Sequence, residues 1–280
     1  MVQSRFVAAG IHLLISVAII SVLLAIVFFV WYPSPYFRLA GADAPLMVLV
    51  GVDLVLGPLL TLLVYKVGKP SLRFDLAVIA CIQLLALAYG GYSLASQRPV
   101  FLAFDRGTLE VISWPDVKDR AVPDEIAGRI PLAGPLPVWV YPQVDADFAY
   151  NVVVHGADDI YMYPERYRPF EQAREQMRVS GQVLTEQFLG KESVLRERLV
   201  EAAETAGLVL DDLIGLHAYP VNGRSEIWSA VIDPQTTEIL LMVNAPVGWR
   251  YEPSTNEDAP ADSGDGQQAP FPGEAAPADG

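Results

Sequence analysis

PLMVLVGVDLVLGPLLTLLVY, Pro45–Tyr65, carries one charged residue, Asp53. A run of about 20 apolar residues is what a helix needs to cross a hydrocarbon core of roughly 30 Å. Two runs of similar length flank it, Ile11–Tyr32 upstream and Leu76–Leu94 downstream, and neither contains Asp, Glu, Lys or Arg. Lipid offers no partner to backbone N–H and C=O groups, so segments of this kind must be helical. The sequence predicts a membrane all-α part of three transmembrane helices, with a larger hydrophilic part behind it.

Charge divides the chain in three. Residues 1–95 have a net charge of +2, residues 96–250 of −9 and residues 251–280 of −7, within a total of −14. The expected domains are a three-helix transmembrane domain over 1–95, a periplasmic α+β domain over 96–250 and an acidic tail over 251–280. The tail is rich in Pro, Ala, Gly, Asp and Glu, buries too little apolar surface to offset ordering, and reads as disordered. The acidic outer part would repel a phosphate backbone, which argues against nucleic acid as a partner. It argues equally against docking on anionic headgroups, so membrane lipid is met through the apolar helices. Cys81 is the sole cysteine, lies in the third apolar run, and reads as a small apolar packing residue.

Orientation follows from the basic residues. Arg5 lies at the N-terminus, and Lys66, Lys69 and Arg73 lie around the loop between the second and third runs. Only Arg38 lies between the first and second. Basic loops stay inside, which places the N-terminus in the cytoplasm and everything after Leu94 on the outer side, the periplasm if the membrane is the inner membrane of a Gram-negative bacterium. A cleaved signal peptide is the rival reading of the first run. That run exceeds the usual apolar core of such a peptide. It also ends in Trp31-Tyr32-Pro33-Ser34-Pro35, where rings suit a membrane interface.

Polar residues inside the spans are the candidate partner-binding residues: Asp53, Gln83 and the adjoining Pro58. Asp53 lies eight residues into the second span, about 12 Å deep at 1.5 Å per residue. Gln83 lies eight residues into the third, which enters from the opposite side, so the two differ by only about 6 Å in depth on a core of roughly 30 Å. They suit a hydrogen bond across helices, or a polar contact for another protein's membrane helix. Pro58 lacks an N–H and crowds the Leu54 carbonyl, which suggests a kink. His12 reads as an interfacial residue that bonds locally.

Past the membrane, Val100–Phe104 and Leu109–Trp114 flank Asp105-Arg106-Gly107-Thr108 and predict a hairpin. Pro123–Arg129 suggests a turn or two of helix, and Pro137–Tyr141 a strand. Tyr163–Met177 and Lys191–Ala206 read as helices, the second ended by Gly207. Leu213–Tyr219, Glu226–Asp233 and Glu238–Asn244 predict an antiparallel meander, whose edge strands could accept another chain's strand unless a helix or the hairpin covers them. The chemistry search finds no HExxH, CxxC, GxSxG, P-loop or GxGxxG. His155 and His217 stand near acids without metal-ligand spacing. The chain reads as a non-enzyme with no cofactor or metal.

The strings SRFVAAGIHLLIS (Ser4–Ser16), VFFVWYPSPYF (Val27–Phe37), GVDLVLGPLLTLLVYK (Gly51–Lys66), KPSLRFDLAVIACIQLLALAYGGY (Lys69–Tyr92) and RPVFLAFD (Arg98–Asp105) resemble the type IV pilin accessory proteins, the TfpX/TfpZ group. The resemblance implies an inner-membrane accessory protein of type IV pilus biogenesis. Its partner would be the cognate pilin subunit, whose stability or assembly it assists in a chaperone-like way, beside other pilus assembly proteins. It implies no catalytic residues; the motifs it carries include Asp53 and Pro58. The chain is not itself a pilin, because Gly10 is followed by Ile11 with no acid at the spacing a prepilin requires. The alternatives are an envelope enzyme acting on pilin or glycan, and a membrane-anchored periplasmic sensor. The sensor lacks a cytoplasmic output domain.

Overall fold

The structure is a computed structural model and describes residues 2–142, Tyr150 and 158–247. The acidic stretch 251–280 and His155 lie outside the described residues. Met1–Gly248 forms one compact unit.

Three helices are long and apolar enough to cross a membrane: Ser4–Trp31, Asp43–Val64 and Leu72–Ser96, of 28, 22 and 25 residues. The first is α1 (Val2–Ile26), closed by a π-helical turn over Val27–Trp31. A short helix, α2 (Tyr36–Leu39), lies in the connector that follows. The second long helix joins α3 (Asp43–Gly51), a π-helical segment over Val52–Leu56 and α4 (Gly57–Val64). The third is α5 (Leu72–Ser96). The π segment sits where the sequence suggests a kink. Pro58 cannot donate to the carbonyl one turn back and its ring crowds that carbonyl, and a widened turn ahead of it relieves both. Ile20, Val27, Tyr32, Leu46, Leu49 and Leu94 form the buried cluster of the bundle, in the half nearer the sheet. Many large apolar side chains of the three helices point outward, among them Leu14, Phe29, Val48, Leu63 and Leu85.

The rest of the described chain is built on one mixed eight-stranded sheet. β1 (Pro99–Asp105) and β2 (Thr108–Ser113) form the expected hairpin, turning at Arg106-Gly107, both with positive φ. β3 (Leu136–Val140) lies parallel to β1, and β4 (Tyr167–Pro169) antiparallel to β3. β6 (His217–Asn222), β7 (Ile227–Asp233) and β8 (Glu238–Val243) form the antiparallel meander. One edge of β6 is shared: its start pairs with β5 (Gln182–Val183) and its end runs parallel to β2. The path is therefore β4-β3-β1-β2-β6-β7-β8, which leaves β8 as an edge.

β1 is buried along its whole length because both faces of the sheet are covered. Phe101 and Ala103 pack with Val138, Val140, Ile126 and Tyr167 on one face. Leu102 and Phe104 pack with Tyr219, Ala230, Phe170 and Met177 on the other. Around the centre of that second core, Phe104 meets Phe170 and Tyr219 edge-on, at ring-centroid distances of 6.4 and 5.5 Å. A third core lies under α10 (Ser193–Ala206), whose Leu195, Leu199 and Ala203 cover Ala218, Val231 and Leu241, with Leu189 of the short α9 (Glu186–Leu189) beside them. Gly207 ends α10 in the left-handed conformation, as its sequence suggests.

Two expectations change. Tyr163–Met177 is not one helix. It holds a 3-10 turn over Pro164–Arg166, strand β4, a second 3-10 turn over Phe170–Ala173, and only then α8 (Arg174–Ser180). Pro164 and Pro169 each deny a helix its N–H, and β3 supplies a strand partner for the residues between them. The first meander strand begins at His217 and runs through Pro220 to Asn222, because Leu210–Leu213 forms a 3-10 turn. The turn or two of helix expected over Pro123–Arg129 is a single turn, α7 (Asp124–Ala127), preceded by α6 (Trp114–Val117).

The connector after the first long helix ties bundle to sheet. Leu39 is fully buried in the second core. Its carbonyl accepts from the backbone N–H of Arg224 at 2.7 Å and of Ser225 at 3.4 Å, in the turn between β6 and β7. Tyr32 donates its hydroxyl to the Leu94 carbonyl at 2.8 Å, and Gly134 N–H reaches the Val30 carbonyl at 3.2 Å.

Candidate functional site

The half of the bundle away from the sheet is open on one side. A groove of about 720 Å³ runs between α1, the second long helix and α5. Its walls are apolar, with Ile11, Ile15 and Ile19 from α1 and Leu76, Leu84 and Leu87 from α5. Its floor is polar. His12 Nδ1 lies 2.8 Å from Thr61 Oγ1. Gln83 Nε2 donates to the Asp53 backbone carbonyl and to Asp53 Oδ1, both at 3.5 Å. Asp53 is 5% exposed, Thr61 2% and Ser16 7%.

Sequence and geometry agree on Asp53 and Gln83, which face each other across two helices at similar depth. Pro58 does not line the groove; it is the second residue of α4, whose Gly57 follows the π segment that contains Asp53. Four contributors escape the sequence reading. His12 and Ser16 lie four residues apart on α1, and Thr61 lies eight residues beyond Asp53, spacings that put each pair on one helical face. That shared face is the signal that would have linked them. The fourth is Gly57. A Cβ there would stand 2.0 Å from Gln83 Nε2 and 2.7 Å from its Cδ, so only glycine lets the amide lie against the helix backbone.

A second concave surface lies beside β8. A cleft of about 710 Å³ follows that edge, with Arg198, Glu201 and Ala202 of α10 on one wall and Pro35, Tyr36 and Arg38 of the connector on the other. β7 is the only strand paired with β8 among the described residues.

The buried titratable groups elsewhere have structural partners. His217 is 8% exposed and its Nδ1 lies 3.2 Å from the Met177 carbonyl, which also accepts from the Tyr219 hydroxyl at 2.6 Å. Burial raises the Tyr219 pKa, so that hydroxyl stays a donor. Among the described residues no three His, Cys, Asp or Glu are placed to hold a metal ion.

Glu110 accepts from Asn222 Nδ2 at 2.6 Å. Burial pushes its carboxyl above the ordinary range; the Asn222 bond opposes this, and Asp105 and Asp159 add to it. The folded chain therefore holds this proton more tightly than the unfolded chain. The group's stabilising contribution is present at low pH and is lost as pH rises from the ordinary Glu range through the raised value. Glu110→Gln should stabilise the sheet at about pH 7 by roughly 1 kcal/mol or less, since partial exposure screens the cost, with the gain vanishing near pH 4. Thermal unfolding at both values checks this.

Comparison with known proteins adds the family. The family model described as fimbrial assembly protein FimB matches residues 1–41. The fimbrial assembly protein of serogroup I of Dichelobacter nodosus is 28% identical over 244 residues, covering 82% of this chain and 93% of that protein. The serogroup E1 protein of the same organism is 26% identical over the same length. The protein of serogroups C1 and C2 is 34% identical over 124 residues, covering 41% of this chain and 92% of that relative. No solved structure matches the chain. With three long apolar helices, a sheet-bearing part behind them and relatives matched over nearly their whole length, the chain belongs to the family of fimbrial assembly proteins.

Proposed function

We propose that this protein is an inner-membrane accessory of type IV pilus biogenesis that binds the cognate pilin subunit and assists its stability or assembly. The observation that carries the reading is the groove, an apolar-walled trough with a polar floor on the outside of an apolar bundle. Inside a membrane such a trough suits a partner helix, because helices in lipid associate by packing and by hydrogen bonds rather than by hydrophobic exclusion. The lining runs along α1 from Ser4 to Ile19, about 22 Å at 1.5 Å per residue, so a partner helix would lie against it for about four turns. The cleft along β8 is a second candidate contact, suited to an extended segment of the subunit outside the membrane. Two modest contacts on one scaffold reinforce each other through effective concentration.

Co-purification from membranes with and without the major pilin tests the reading. Pilin should be retained by the intact protein, and its absence from the complex under mild detergent would remove the proposal. The same reading requires a cytoplasmic N-terminus and a periplasmic sheet. Reporter fusions after Val67 should report cytoplasm and fusions after Gly134 periplasm. A cytoplasmic signal at Gly134 would put the sheet on the wrong side of the membrane to meet a subunit's outer portion.

A further inference from the structure

Asp53 has too few partners for its place. A carboxylate offers about four acceptor positions. Among the described residues its side-chain hydrogen bond comes from Gln83 alone, at 3.5 Å, the outer limit of a useful distance. The neighbouring imidazole is engaged at Nδ1 by Thr61. Yet Asp53 faces the groove, and the walls beside it are isoleucine and leucine. An acyl chain filling that space has no donor to offer, and lipid headgroups lie at the ends of the bundle rather than at this depth. Ionisable groups inside a membrane pair with one another or with donors on neighbouring helices.

Resting on the pilin-binding reading, we infer that the groove selects a partner's membrane helix bearing a hydrogen-bond-donating group, and that Asp53 is the acceptor that reads it. Gln83 holds the carboxylate at the floor, and Gly57 makes room for Gln83. The apolar walls require the rest of the helix face to be apolar. The occupant is thus one helix face, apolar except for a donor at the level of Asp53. An acyl chain lacks that donor, and a second copy of this chain is the rival occupant that the test separates from pilin.

The test uses the full-length protein in membranes with its cognate pilin, with a photo-crosslinking residue at Ile15 in the groove wall and a control at Met47, outside the groove. Pilin adducts should form from Ile15 and not from Met47. Asp53→Leu should lower the Ile15 adduct about tenfold, and Asp53→Asn, which keeps an acceptor oxygen, should retain most of it. Replacing the polar residues of the pilin's membrane helix one at a time by Leu should find one whose loss matches Asp53→Leu and adds nothing to it in the double variant. Undiminished adducts in Asp53→Leu would overturn donor recognition while leaving pilin binding intact. Adducts only to lipid or to a second copy would overturn the occupant. Failure of the wild-type protein to retain any pilin on purification would instead remove the underlying reading.

Discussion

Gly223→Ala should unfasten the sheet from the bundle. A Cβ at position 223 would stand 2.3 Å from the Leu39 carbonyl oxygen and 2.8 Å from both its carbonyl carbon and its Cα. Those atoms are backbone, so no rotamer change relieves the clash. The connector or the β6–β7 turn must move, and the movement breaks the bonds that Arg224 and Ser225 donate to the Leu39 carbonyl. Leu39 is fully buried in the second core, so shifting it also opens a void beside Phe104 and Tyr219. Overpacking costs about 1–3 kcal/mol and each lost hydrogen bond about 1 kcal/mol, for a combined loss on the order of 3 kcal/mol. Limited proteolysis between Pro33 and Gly41 should become fast, and pilus assembly should fall with it. Gly128→Ala is the control, because a Cβ there meets only the Asp124 carbonyl, at an ordinary 3.5 Å. Equal protease resistance of the two variants would mean that the connector tolerates displacement and does not hold the sheet in place.

The second large effect is expected at Gly57→Ala, on pilus assembly rather than on folding. The added methyl would overlap Gln83 Nε2, but that amide is the far end of a flexible side chain and can swing out of the way. Swinging out costs little in packing and removes the Gln83 hydrogen bond to the Asp53 side chain. The protein should remain inserted, with its thermal stability changed by about 1 kcal/mol or less, a range typical of an interhelical hydrogen bond in membranes. Piliation should drop severalfold if Asp53 must be held in place to receive a partner. Gly57→Ala combined with Gln83→Ala relieves the overlap yet leaves Asp53 without its amide, so piliation should stay low in the double variant. Recovery there would trace the defect to crowding alone and leave the Asp53–Gln83 contact with a packing role only.

Both expectations depend on glycines that face a partner far away in the chain, and this marks the limit of what the sequence carried. The three long helices were legible because about 20 consecutive apolar residues have few other fates, whatever surrounds them. The β1–β2 hairpin, the β6–β8 meander and the Gly207 helix stop were legible for the same kind of reason: each is written within a dozen or so residues, in alternation and turn chemistry. Even the Asp53–Gln83 contact followed from counting residues inward from two membrane surfaces, since a bilayer supplies a common ruler.

What the tertiary structure alone decided is every arrangement in which one segment's environment is another segment. Tyr163–Met177 has helical character by residue type, but the open edge of β3 recruits Tyr167–Pro169 as a strand. Nothing within β2 or β6 announces that their ends lie side by side in parallel. Leu39 looks like a loop residue between two apolar helices and is instead a core residue of the sheet. His12 and Thr61 look like isolated polar residues and become, with Ser16, Asp53 and Gln83, the floor of one groove. Local pattern reports how a segment meets a uniform surrounding, water or lipid. Register, close approach and a shared polar floor are set by the shape and spacing of two or more segments at once, so they exist only after the chain has packed.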